Sequence, residues 1–244
     1  MKIQNYFSPN FSKTKRPKNS INMVIIHYTG MQSERESLLR LCDPKFKVSS
    51  HFLITQNGKV FRLVSDQKIA WHAGISCWGG YANLNRNSIG IELVNKGHEF
   101  GYTNFKKKQL QSLIKICKNL IKKYKIKSKN IVGHSDVAPS RKIDPGEKFP
   151  WEKLAKEKIG VWHNCKSNIL KKLRKNKIFS KNENVEFFGN LKKIGYCFSI
   201  KNKISITKVT KSFQRHYRRE LVNGIIDKEC LVIAQNLSKT YKKP

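Results

Sequence analysis

Residues 49–65 read SSHFLITQNGKVFRLVS. Two runs rich in apolar, β-branched and aromatic residues flank Asn57-Gly58, a pair that tolerates the positive φ of a tight turn. The stretch is predicted to be a β-hairpin. Upstream, NMVIIHYT (22–29) is a buried strand by its β-branched run, and SERESLLRLC (33–42) is a short helix with Ser33 as N-cap. Downstream, WHAGISCWGGYANLNRNS (71–88) is a Gly- and Asn-rich loop and SIGIELV (88–94) a further strand. In residues 103–126, Leu110, Leu113, Ile114, Cys117, Leu120, Ile121 and Tyr124 fall on one helical face. NIVGH (130–134) is a short strand leading into a polar loop. Strands alternating with helices predict an α/β domain around one sheet. The hairpin makes that central sheet mixed, with helices flanking it.

Domain boundaries follow from shifts in pattern. Residues 1–20 lack periodicity and read as an irregular arm, and the α/β domain spans 21–162. Residues 163–186 are a charged connector, partly helical in pattern, and 187–244 a small all-helical module of about three helices. In that module Ile206, Val209, Phe213, His216 and Tyr217 share a face, and Asp227 is the candidate N-cap of the last helix. The segment after Phe187 is expected to be separable and non-catalytic.

The 50 Lys+Arg against 16 Asp+Glu give a formal charge of +34. Either a polyanionic partner or compositional drift explains it. The charge is not concentrated: from Val161 onward there are 20 basic and 5 acidic residues, leaving 30 and 11 before it. No zinc finger, glycine-rich RNA motif or basic-aromatic repeat is present, so no specific nucleic-acid partner is expected. The closest of the six cysteines are 32 residues apart, which excludes a CxxC knuckle. Cys117 lies on the apolar stripe, where a buried thiol is ordinary. No run of signal-peptide character and no 18-residue apolar run occurs. A soluble, cytoplasmic monomer with reduced cysteines is expected, with the periplasm as the alternative.

Two histidines and a carboxylate lie at strand ends. His27 is near the end of the first strand, His134 ends NIVGH, and Asp144 is in VGHSDVAPSRKIDPGEKFPW (132–151). Two imidazoles and one carboxylate leave a fourth position of tetrahedral zinc open for water, as in hydrolytic sites. Spacing alone does not single out this set.

The blocks VIIHYTG, SSHFLITQNGKVFRLV, AWHAG, NSIGIELVN and VGHSDVAPSRKIDPGEKFPW resemble the family 2 N-acetylmuramoyl-L-alanine amidases. These are zinc enzymes related to phage amidase-lysozymes and animal peptidoglycan recognition proteins. The resemblance runs from about Met23 to Trp162. It implies one zinc per chain held by His27, His134 and Asp144, the last a position that is Cys in some relatives. It implies Glu92 as proton carrier and Lys142 as stabiliser of the oxyanion. It also implies a peptidoglycan or muropeptide substrate, cleaved between N-acetylmuramic acid and L-alanine. Trp71, His72, Asn95 and Arg141 are the candidate substrate contacts, and His51 is assigned to packing. LKKIGY, SFQRHYRRE, NGIIDKEC and IAQNL resemble peptidoglycan-binding helical modules.

Overall fold

A computed structural model describes residues 2–176, 180–199 and 203–242. Its strands are β1 (Ile3–Asn5), β2 (Phe11–Ser12), β3 (Met23–Tyr28), β4 (Phe52–Ile54), β5 (Val60–Arg62), β6 (Ile69–Ala70), β7 (Cys77–Trp78), β8 (Tyr81–Ala82), β9 (Ser88–Leu93) and β10 (Ile131–Gly133). Its helices are α1 (Glu34–Cys42), α2 (Lys107–Tyr124), α3 (His134–Val137), α4 (Trp151–Lys156), α5 (Ser167–Leu173), α6 (Lys181–Ile194), α7 (Lys203–Tyr217) and α8 (Lys228–Lys242). The main sheet has the order β1-β5-β4-β9-β3-β10. Only the β4–β5 pair is antiparallel. The sheet is therefore mixed, and the hairpin is the reason.

The turn of that hairpin is longer than a two-residue turn. Gly58 N–H bonds to Thr55 O and Thr55 N–H to Lys59 O. Only Gly58 takes positive φ, at +88°, so Asn57 keeps ordinary geometry. Asn57 Oδ1 instead accepts from Lys59 N–H, which is the other way an Asn serves a turn.

Strand alternation sends residues to two faces. Val24, Ile26, Ile89, Ile91 and Leu93 pack with Leu110, Leu113, Ile116, Cys117 and Leu120 of α2. The opposite face carries Met23, Ile25 and Val132, packed with Phe187, Leu191, Phe213, Ile233 and Leu237 of the C-terminal helices. On that same side Leu53 and Phe61 pack with Leu41 of α1. The C-terminal bundle and α1 thus cover the same face of the sheet, and α1 forms part of the wall of the site.

Four expectations are corrected. The first twenty residues, though mostly without regular structure, are part of the α/β domain: β1 pairs in parallel with β5, and buried Arg16 donates to the carbonyls of Asp66 and Ser88. The connector is ordered where described: α5 buries Leu170, and α6 starts at Lys181 rather than at 187. The helical segment shares one apolar core with the sheet instead of forming its own. Cys77 and Cys197 are disulfide-bonded, while Cys42, Cys117, Cys165 and Cys230 are free. Asp227 does cap α8, accepting from Cys230 N–H.

Candidate metal centre and catalytic cleft

Register assembles the centre. His27 on β3 lies opposite Glu92 on β9, so both side chains leave the same face. Gly133, the last residue of β10, pairs with Ile26. The next residue, His134, is therefore delivered beside His27. Asp144 returns to the pair because Ser135 N–H donates to Asp144 O at 2.8 Å. The three ligand atoms converge: His27 Nδ1 to His134 Nδ1 is 2.9 Å, and Asp144 Oδ2 lies 3.1 and 3.0 Å from them. All three residues are buried.

Tautomers can be deduced by following the hydrogen bonds. Ser88 Oγ–H donates to Leu84 O at 2.5 Å. Ser88 Oγ must then accept from His72 Nε2–H, 3.2 Å away. That leaves His72 Nδ1 as a lone pair, which accepts from His27 Nε2–H at 3.1 Å. His134 Nε2 faces Ala73 O at 3.2 Å, so it carries the proton. In their neutral forms both imidazoles therefore present bare Nδ1 atoms to the carboxylate. Three lone-pair donors within about 3 Å repel one another unless a cation sits among them. A tetrahedral ion with 2.0–2.2 Å bonds would set such donors roughly 3.3 Å apart. The donor set fits a divalent metal.

The charges agree. Burial, reinforced by His134, lowers His27 to about 4 and favours the neutral ligand form. Burial alone would raise Asp144, but without a metal, charge and donated protons at the two imidazoles, His134 foremost, hold its carboxyl well below the usual range; a metal cation between bare Nδ1 atoms would favour the carboxylate in the same way. Burial raises Glu92 to about 8; Asp144 adds to the rise and Lys142 opposes it. Glu92 Oε2 is buried without a hydrogen-bond partner. Glu92 and Lys142 line a cleft of about 380 Å³ with the three candidate ligands.

The four candidate substrate contacts fare differently. His72 lines the cleft but is only 5% exposed, and its ring is hydrogen-bonded to His27 and Ser88. Asn95 is 1% exposed; its amide donates to Thr103 O and its oxygen accepts from Gly97 N–H. Its side chain organises that loop rather than facing the cleft. Trp71 lines a separate hollow with Ile69, Ile75 and Asn85. Arg141 reaches the cleft wall, but its guanidinium donates to the carbonyls of Ala73 and Ile75. Packing accounts for His51, whose Nδ1 accepts from Gly90 N–H. The cleft also contains Met31, Arg40, Leu41 and Ile143. Sequence reading missed Arg40 and Leu41 because α1 carries no motif, and only its position over the sheet brings them to the site.

The N-acetylmuramoyl-L-alanine amidase family matches residues 17–147. N-acetylmuramoyl-L-alanine amidase AmiD of Escherichia coli is 37% identical over 236 residues, 91% of this chain and 83% of that protein. The 1,6-anhydro-N-acetylmuramyl-L-alanine amidase AmpD of Haemophilus influenzae is 35% identical over 164 residues, covering 60% of this chain and 86% of AmpD. The structure of E. coli AmiD with anhydro-N-acetylmuramic acid-L-Ala-D-gamma-Glu-L-Lys superposes with a TM-score of 0.81 at 33% identity, covering 96% of this chain and 93% of that one. AmpDh3 of Pseudomonas aeruginosa gives the same TM-score at 28% identity, over 96% of this chain and 97% of its own. Likeness of this extent in both sequence and fold means that the chain belongs to the N-acetylmuramoyl-L-alanine amidase family.

Proposed function

We propose that the protein is a zinc-dependent hydrolase that cleaves the amide between the lactyl group of N-acetylmuramic acid and L-alanine in muropeptides. The observation that carries this is the meeting of His27, His134 and Asp144 with buried Glu92 in one cleft. The fold is shared with an amidase solved with an anhydro-muramyl peptide. A zinc ion at the three donors would supply the Lewis acidity that makes water nucleophilic near neutral pH. Glu92, held close to neutral pH by burial, takes the proton from the attacking water. It then delivers that proton to the alanine nitrogen as the carbon–nitrogen bond breaks. Lys142 lies at the same cleft and neutralises charge developing on the carbonyl oxygen. Recognition without hydrolysis would not require this donor set with a buried, unpaired carboxylate beside it.

The test is metal analysis of the purified protein, with mass spectrometry of products from an anhydro-muramyl tripeptide and from intact sacculi. One zinc per chain and release of free peptide are expected. Glu92→Gln should retain zinc and turn over at least about a hundredfold more slowly. Full activity of that variant would remove Glu92 from the mechanism; loss of its zinc would make Glu92 a structural residue or ligand. The Cys77–Cys197 bond supports an oxidising compartment, the periplasm, over the cytoplasm. Thiols trapped at cell lysis check that setting: four of the six cysteines should react, and six would return the protein to the cytoplasm.

A further inference from the structure

We propose that helix α7 is a positioning element of the metal centre, acting through His216 and Ser212 on the segment that carries His134 and leads to Asp144. The inference rests on the metal reading above. Helix α3 starts at His134 and has four residues. One turn cannot stabilise itself, since nucleation costs more than a single hydrogen bond returns. Its geometry must be imposed from outside.

Apart from one local bond to Gly133, the restraints come from the C-terminal segment. Asp136 Oδ2 accepts from Gly133 N–H at 2.7 Å and from His216 Nδ1–H at 2.7 Å. Asp136 Oδ1 accepts the Tyr196 hydroxyl at 2.7 Å. Ser212 Oγ–H donates to Ser135 O at 2.7 Å. Lys208 Nζ donates to Ser140 O at 2.7 Å, just before Arg141 and Lys142. These bonds grip the backbone on both sides of His134, and Ser135 N–H passes the restraint to Asp144. Asp136, His216 and Ser212 are each no more than 1% exposed. The imidazole of His216 stacks on Trp151 at 4.0 Å and 14°, which fixes the direction of its donor.

A buried Asp–His pair is an expensive way to join two elements when apolar packing would serve. Here it holds the donor of one bundle helix against the carboxylate that fixes the residue before a ligand. Groups that orient ligands in this way typically change metal affinity by about 10–100-fold when lost.

Full-length variants test the proposal. His216→Phe keeps the stacked ring and removes the donor, while His216→Asn replaces a donor near Nδ1. Leu237→Ala weakens the same bundle away from α3. Zinc affinity is read by chelator competition, ligand geometry by the visible spectrum of the cobalt-substituted protein, and kcat and KM on a soluble muropeptide. His216→Phe should bind zinc at least about tenfold more weakly, shift the cobalt bands and lower kcat with KM little changed. His216→Asn should recover much of each. Ser212→Ala, a smaller change, keeps the test open if His216→Phe does not fold, and should move the same readouts in the same direction. Zinc affinity within twofold of the parent in His216→Phe, or in Ser212→Ala if only that variant folds, overturns the proposal. So does a loss in Leu237→Ala that matches those variants at equal thermal destabilisation, because bundle stability alone then explains it. Absence of zinc from the unsubstituted protein refutes the metal reading itself and removes the ground for this inference.

Discussion

His72 separates what a motif shows from what a position does. In AWHAG it looks like part of a flexible cleft loop, yet its ring is buried between the candidate ligand His27 and β9. Gly90 on β9 makes this possible: a Cβ there would lie 2.5 Å from the His72 ring. Nothing in WHAG predicts that contact, because the space comes from a glycine on a different strand. Its role follows from the tautomer chain, in which His72 accepts from His27 and so keeps the other nitrogen of His27 bare. His72→Phe fills the space but cannot accept that proton. Zinc affinity should fall about 10–100-fold with KM little changed among the molecules that retain metal. A raised KM at full zinc content would instead restore His72 as a substrate contact. The residues that were legible, His27, Glu92, His134, Lys142 and Asp144, stand in blocks whose order and local pattern carry the family resemblance. Arg141 and Asn95 are polar residues in such blocks too, but their hydrogen-bond partners lie in distant loops that spacing cannot reveal.

At the scale of elements, β3, β9 and α2 are legible because their apolar patterns satisfy one local rule each. The hairpin is legible because antiparallel neighbours meet through a short turn. The arm is not, because β1 finds its partner 57 residues away, as Ile3 pairs with Val60, and IQN has no strand-like alternation. Asp66, after β5, shows how such distant pieces are joined. Its carboxylate accepts from Arg62, from Lys123 and from the Tyr124 hydroxyl, the last two at the end of α2. Its backbone carbonyl accepts from Arg16. Burial would raise its pKa, but hydrogen bonds from Lys123 and Tyr124, with the charge of Arg62, lower it from 3.8 to about 2. A depressed carboxyl stabilises the fold above its unfolded value and loses that contribution as pH falls through the folded one. Asp66→Asn should therefore cost about 1–2 kcal/mol at pH 7, allowing for the exposed Lys123 partner. The difference from the parent should shrink between pH 4 and pH 2. Denaturant titrations at several pH values measure it, and a difference that stays constant across this window would assign the loss to packing.

Across the whole molecule, the switch from α/β to helical pattern near residue 187 looks like a domain border, but the chain does not divide there. Pattern reports which face of an element is apolar and not what covers it. Met23, Ile25 and Val132 on the sheet form one core with Phe187, Leu191, Phe213 and Leu237. Trp78, 1% exposed, packs edge-on against Tyr196 at 4.9 Å, and the Cys77–Cys197 bond closes the same contact. Removing α6, α7 and α8 would thus uncover a sheet face rather than free a module. Fully burying one large apolar side chain is worth roughly 1.5–3 kcal/mol. Several are lost together, against a total stability of about 5–15 kcal/mol for a typical domain. The same cut also removes the grip of His216 and Ser212 on α3. A chain ending at Asn176 should be insoluble or partly unfolded, bind zinc weakly and show little hydrolysis even of a soluble muropeptide. Solubility, circular dichroism and zinc content of that shortened chain decide the matter. A well-folded product with stoichiometric zinc and normal kcat would show that the residues before 177 carry the site unaided, and that the shared core adds stability without supporting the chemistry.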